Sequence, residues 1–405
     1  MNTLRVAWRN LWRNRRRTLV TLAAVSVCTL ILTVIYCLME GLMVGAVANT
    51  TNLSLGEVQV YAKGYRHDRS FYKALKDPGA ILAAASAAGV GAAPRSYSFG
   101  LAALGAKSSG ARLWGIDPAA ERAAFDLYRH VAQGRFLGDR PEKAVVLGYK
   151  LAKSLEARVG STLVVVVQAA DGSLGNDLFK VVGILKSCGA AIDRNAALVH
   201  RADFAELLVS GGRIHEVALN SRGRMPLEKL RALAAAAAPG QEVTTWRVIM
   251  PAASDMLNVW DSMMWLFGLV FILAAALGLM NTMLMATFER IREFGIIRAL
   301  GATTWRILAD VTGEAMILSL LGTGLGALLG LAVSQYLVVH GLDMSSLAGS
   351  YSVGGLTFDP VWRATLSLRS FLEPVLLMFG VCLLASIYPA ILAARLDPVR
   401  AINRV

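Results

Sequence analysis

Four stretches of the chain run apolar for long enough to cross a bilayer, which takes about 20 helical residues. They lie at residues 18–45, 261–287, 309–339 and 371–394. A helix of a globular protein keeps one polar face. The first stretch holds no charge between Thr18 and Glu40, the third carries only Glu314 from Val311 onward, and the fourth has Glu373 near its start. Each therefore predicts a transmembrane helix. Between the first two the pattern changes to short alternating or β-branched runs, at residues 57–61, 162–167 and 179–185. Such runs predict strands, and Ala-rich pieces at 78–88, 119–125 and 227–238 predict helices among them. Residues 46–260 thus form a large α+β domain. The strand near Glu57, the helix after Pro78 and strands near Glu216 and Val243 make one lobe, and residues 95–205 make a second lobe inserted into it. The fold class is an α-helical membrane protein with four transmembrane helices plus a large two-lobed α+β extracytoplasmic domain inserted between helices 1 and 2.

Composition agrees: 55% of the 405 residues are hydrophobic, 17% are charged and the mean hydropathy is +0.52. A net charge of +13 could serve nucleic acid, but its placement follows the membrane. Arg5, Arg9, Arg13, Arg15, Arg16 and Arg17 precede the first span; Arg290, Arg292, Arg298 and Arg306 separate the second from the third; Arg395, Arg400 and Arg404 follow the fourth. The positive-inside rule makes these segments cytoplasmic. It leaves residues 46–260 and the short loop 340–370 outside, and both termini inside. No nucleic-acid partner is expected. Residues 1–17 predict an interfacial helix, with Leu4, Trp8, Leu11 and Trp12 on one side and arginines on anionic lipid. The apolar stretch behind it is about twice the length of a signal-peptide core, so it reads as an uncleaved anchor. Residues 395–405 form a cytoplasmic tail.

Catalytic chemistry is poorly represented. Cys28, Cys37 and Cys382 fall in spans and Cys188 stands alone outside, so no disulfide framework follows. His67, His130, His200, His215 and His340 show no metal-ligand spacing. No Gly-x-x-x-x-Gly-Lys-Ser/Thr loop is present to cradle nucleotide phosphates. The chain is expected to bind no cofactor and to catalyse nothing itself.

Order of a different kind lies between spans two and three, at residues 288–308. Phe288 and Ile291 stand a turn apart, Glu289, Arg290, Arg292 and Glu293 interleave with them, Phe294, Gly295 and Arg298 follow, and Gly301 closes the segment. A simple connector needs none of this; a knob that fits a groove on a partner does. The run 289–302 resembles the coupling-helix signature of the FtsX-like permeases of ABC transporters, which include macrolide-exporter and lipoprotein-releasing types. Arg9-Asn10-Leu11-Trp12-Arg13 with Arg17-Thr18-Leu19, Asn281-Thr282-Met283 and the closing run 388–402 resemble the same family. Gly115-Ile116-Asp117-Pro118 and Val145-Val146-Leu147-Gly148 do so more loosely. The coupling run is closer to the macrolide-exporter type; Gly41, residues 56–60 and Gly64-Tyr65 are closer to the lipoprotein-releasing type.

The resemblance implies a bacterial inner-membrane permease that pairs with a second, identical or related permease. Two copies of a separate ABC ATPase would bind the ATP and Mg. Closure of the pair would squeeze or lift a substrate on the outer side, with a periplasmic carrier or adaptor as a further partner. A hydrophobic or lipid-anchored, lipoprotein-like substrate is expected against Met39, Leu42, Met43 and Val44 of span one and Val259, Trp260, Met263 and Met264 of span two, since Met and Trp adapt to acyl chains. The alternatives are a tripartite drug or peptide efflux pump and a signalling permease that activates a periplasmic partner. Gly322, Gly326 and Gly330, four residues apart, predict a close-packing helix face, within the chain or across a dimer. Glu314 predicts either a buried contact to Arg298 or Arg306 or an excursion to the headgroups.

Overall fold

The computed structural model describes residues 7–9, 11–344, 351–353 and 356–395. The chain divides into two compact units: Met1–Val44, Leu257–Gly349 and Pro360–Val405 form one, and Gly45–Met256 with Ser350–Asp359 the other.

Four long helices, Arg15–Thr50, Pro251–Glu289, Thr304–His340 and Leu368–Ala394, are apolar enough to cross a membrane. The first two have 36 and 39 residues, well over the length a bilayer requires. They run beyond the expected 18–45 and 261–287, because hydropathy reports the lipid-facing part of a helix and not where its hydrogen bonding stops. The fourth begins at Leu368, ahead of the expected 371, because the Ser367 hydroxyl accepts from the Ser370 amide in a capping box.

In the first unit all four helices contribute to one core: Leu22, Val25 and Leu32, then Ile272, Leu279 and Met283, then Val311, Ala315 and Leu318, then Met378 and Cys382. Lipid is as apolar as leucine, so helices associate in it through close backbone approach and hydrogen bonds. The third helix provides both against the first. A Cβ placed on Gly326 would meet the Ser26 carbonyl oxygen at 2.4 Å, and one on Gly322 would meet Val25 Cγ1 at 2.8 Å. The Ser26 hydroxyl donates to the Gly322 carbonyl at 2.9 Å. Gly330 lies against Thr33, so the glycine face packs within the chain.

The expected interfacial helix at 1–17 takes another form over the part that is described; Leu4 and Arg5 lie outside the described residues. Trp12–Asn14 form a 3₁₀ turn that leads straight into the first long helix. Leu11 is buried in the helix core, whereas Trp8 and Trp12 are exposed. Trp8 and Trp12 pack edge-on with ring centres 5.8 Å apart, on a side that leaves Leu11 in the core. In the tail, Arg400 and Arg404 also lie outside the described residues.

The second unit is built on a sheet of strands β1 (Val58–Tyr61), β2 (Gly91–Leu104), β3 (Lys107–Ile116), β4 (Val131–Gly134), β5 (Ala144–Leu147), β6 (Thr162–Gln168), β7 (Leu174–Leu185), β8 (Ala196–His200), β9 (Glu216–Asn220) and β10 (Glu242–Thr245). The order is β10-β1-β9-β2-β3-β8-β5-β7-β4, with β6 bridging β2 and β7. Helices Pro78–Ala87 and Leu227–Ala237 cover β1, β9 and β10, with a core of Val58, Val60, Ile81, Val217, Leu219 and Leu230. The bridging strand closes the circuit β2-β3-β8-β5-β7-β6 around a second core containing Leu113, Val145, Leu163, Phe179, Val199 and Phe204. Strand β2 belongs to both lobes: Gly91–Arg95 pairs with β9, and Arg95 onward pairs with β3.

Residues 340–370 are more than a plain loop. Two short ribbons occupy them: β11 (Leu342–Asp343) pairs with β14 (Val361–Trp362) in the first unit, and β12 (Tyr351–Val353) with β13 (Leu356–Phe358) in the second.

Candidate functional site

The segment between the second and third long helices folds as a nine-residue helix, Ile291–Ala299. Glu293 in its first turn and Arg298 in its last complement the helix dipole. Gly301, at φ +92°, ends it in a conformation that favours glycine. The inner face is buried through Ile291, Phe294 and Gly295, and Phe294 joins the four-helix core beside Ile307 and Val311. Phe288 is exposed at the end of the second long helix while Ile291 is buried, so the two do not form the expected apolar pair.

The inner face is also held by charge. Arg290 donates to Glu293 at 3.0 Å and to Glu314 at 2.6 Å, with its guanidinium 5.0 Å from the centre of the Phe294 ring. Glu314 therefore contacts the coupling segment through Arg290, not through Arg298 or Arg306. Those two lie later in the segment, and Arg298 instead donates to the Ala394 carbonyl at 3.2 Å, at the end of the fourth helix. Arg13 reaches Glu293 at 2.7 Å and Arg17 reaches Glu289 at 2.8 Å. Burial pushes the Glu293 carboxyl up, but hydrogen bonds from Arg13 and Arg290 outweigh it and hold the group below the usual carboxylate range. The pairing of the basic N-terminal segment with this loop was missed from sequence. Its signal was present: Arg13 and Arg17 are four apart, as are Glu289 and Glu293.

The outer face presents Arg292, Ile296 and Ile297, and beyond the helix Leu300 and Trp305, which are 83% and 78% exposed. The segment 289–302 is thus tied to the first, third and fourth long helices through the contacts Arg17–Glu289, Arg290–Glu314 and Arg298–Ala394, and its apolar tips stay exposed.

The residues expected to form a substrate wall differ in exposure. Leu42 and Met43 are buried and Met39 is partly buried, whereas Val44, Val259 and Met263 are exposed. Trp260 and Met264 are partly buried, and the Met264 carbonyl accepts from the Tyr36 hydroxyl at 3.3 Å. Of the histidines, His200 caps the helix Arg201–Leu207 and His215 is buried in a ring stack. No cluster suited to a metal occurs among the described residues.

The chain therefore carries four apolar helices of bilayer length, with a short helix between the second and third and an α+β domain between the first and second. The chain belongs to the family of the MacB-like periplasmic core domain, which matches residues 18–245, more than half of it. Residues 265–398, with the whole coupling segment, match the FtsX-like permease C-terminal region. An uncharacterized ABC transporter permease of Methanocaldococcus jannaschii is 26% identical over 67% of this chain and 65% of its own length. The macrolide export ATP-binding/permease protein MacB of Nitrosomonas europaea is 29% identical over 67% of this chain and 40% of its own length. The pyoverdine export ATP-binding/permease protein PvdT of Pseudomonas syringae pv. tomato is 24% identical over the full chain and 59% of its own length. The chain thus spans between two-fifths and two-thirds of these relatives.

Proposed function

We propose that this chain is the permease of an ABC exporter, in which the segment 289–302 receives the motion of ABC ATPases on the cytoplasmic side and the four helices pass it to the α+β domain on the outer side. The observation that carries the reading is the segment 289–302: it is bonded to the first, third and fourth long helices while its apolar tips stay exposed, where a partner could meet them. Arginine placement supports cytoplasmic termini, and a bacterial inner membrane fits the family. A second permease, identical or related, completes the pair. The open apolar faces of the second and fourth helices, Leu266, Val270, Leu273 and Leu277 on one and Leu376 and Leu384 on the other, leave surface for it and for lipid.

The substrate we propose is hydrophobic and is moved outward by mechanotransmission, with a periplasmic adaptor as partner. The relatives named for macrolide and pyoverdine export favour this over extraction of a lipid-anchored protein. ATP and Mg belong to the ATPase. The test is the double variant Ile297→Asp with Leu300→Asp, reconstituted with its ATPase in lipid vesicles. Two desolvated apolar contacts replaced by charges should lower ATPase association at least tenfold and abolish transport-linked turnover. Unchanged association and turnover would sink the assignment.

A further inference from the structure

A cavity of about 650 Å³ lies in the second unit, within the range that takes a small organic ligand. Its lining includes Leu53, Tyr65, Tyr97, Arg112, Trp114 and Ile192. The charge on this wall is unbalanced. Glu216 also lines it, but its carboxylate is bound by Arg95 at 3.1 Å, and Arg95 is itself buried and paired with Glu121 at 2.6 Å. Arg66 has Glu242 at 3.8 Å. Arg112 has no such partner: among the described residues its side chain forms neither an ion pair nor a hydrogen bond, and its Nε is buried and unsatisfied.

What Arg112 has instead is rings. Its guanidinium lies 4.1 Å from the centre of Tyr97 and 5.2 Å from that of Trp114. Trp114 is only 6% exposed, and its Nε1–H has no acceptor. Arg95 in the same unit receives two carboxylates, whereas here a cation without an ion pair stands beside an orphaned ring donor on a cavity wall, and both call for an acceptor. Stacked guanidinium and aromatic faces accept a flat body, and apolar Leu53 and Ile192 line the same space.

We propose that this cavity binds a small organic anion with a flat apolar body, of the aromatic carboxylate or sulfonate class, whose charge is taken by Arg112 and whose ring packs among Tyr97, Trp114 and Ile192. The inference does not rest on the export reading: its residues belong to the second unit and the coupling segment to the first.

The full chain in lipid nanodiscs is titrated calorimetrically with 8-anilinonaphthalene-1-sulfonate and with uncharged N-phenyl-1-naphthylamine, with empty nanodiscs as the blank. The sulfonate should bind at one saturable site per chain, and more tightly than the neutral analogue. Arg112→Met, which keeps the apolar length of the side chain, should weaken the sulfonate at least tenfold and leave the neutral compound within twofold. Ile192→Trp, which fills the cavity, should remove saturable binding of both. Equal affinity of the two compounds, or sulfonate binding unchanged in either variant, would overturn the site. Competition separates sources of the same chemistry: displacement by 2-naphthoate marks a free aromatic acid, and displacement by lysophosphatidylglycerol marks a lipid anion. Displacement by neither also overturns it. Glu293→Ala should leave the titration unchanged, so failure of the coupling assignment and failure of this site are read separately.

Discussion

At the scale of single residues the molecule concentrates its strong interactions where charge is taken out of water. Arg290 and Glu314 are 13% and 7% exposed and lie 2.6 Å apart. Breaking a buried ion pair of this kind destabilises the fold, and Arg290 joins Glu293 to the same contact. Arg290→Met should therefore lower thermal stability in detergent, and the double variant with Glu314→Gln should lose less than the sum of the two single losses; additive losses in that cycle would show that the two do not act as a pair. His215 is governed by the opposite need. It is fully buried, its Nδ1 accepts from the Tyr97 amide at 2.9 Å and its Nε2 faces the Phe71 carbonyl at 2.8 Å, which suits the neutral ring with Nε2–H donating. Burial pushes its pKa below the ordinary 6.5, so at mildly acidic pH the unfolded chain binds the extra proton more readily than the folded one. Stability from this group is fully present above pH 6.5 and declines as pH falls through and below that value. Thermal unfolding at pH 7.5 and 5.0 should show the loss, and His215→Gln should flatten that part of the profile. Residues like these were the least legible in the sequence. Glu314 stood out as an isolated acid in an apolar run, but the choice among three nearby arginines depends on which of them the helix turns inward, and that is set by packing of Phe294 and Ile291.

Elements were legible in proportion to how strongly their own pattern specifies them. The four spans, and strands such as β6 with its run of valines, could be read directly because hydropathy and β-branching act locally. Strand β2 could not. Its sequence, Gly-Ala-Ala-Pro-Arg-Ser-Tyr-Ser-Phe-Gly-Leu-Ala-Ala-Leu, has weak strand propensity, and pairing along both edges, with β3 on one side and β9 then β6 on the other, holds it extended. The glycine face of the third helix lies between these cases: the spacing was readable, while its counterpart was not, because small residues permit close approach without naming the neighbour. A discriminating pair of variants follows. Gly326→Ala places a methyl 2.6 Å from Thr29 Cβ and should destabilise by about 1 to 3 kcal/mol. Gly324→Ala has nothing within 4 Å and should be neutral or slightly stabilising, since alanine is the better helix former. Equal melting temperatures for the two would show that the first and third helices do not pack on that face.

For the whole molecule, the way the second unit is inserted explains why hydropathy alone divides the chain so cleanly. The strand that leaves the first helix, β1, pairs antiparallel with β10, the strand that leads back to the second, with Val58 opposite Thr245. Entry and exit are thus hydrogen-bonded neighbours, and a large domain can be carried between two spans without disturbing either one's sequence pattern. Charge placement then predicts which side that domain occupies, and native cysteine chemistry makes the prediction measurable. Cys37, Cys188 and Cys382 are buried, Cys28 is partly so within the first long helix, and burial pushes the Cys188 thiol up to about 12. Little thiolate is present at neutral pH, so the unmodified chain should give almost no signal with a membrane-impermeant maleimide. Leu174→Cys, at a position 72% exposed in the α+β domain, should label in cells whose outer envelope alone is opened. Thr303→Cys, exposed after the coupling helix, should label only once the inner membrane is permeabilised. If Thr303→Cys labels first and Leu174→Cys needs permeabilisation, the orientation is inverted, and the coupling helix would face away from any cytoplasmic ATPase.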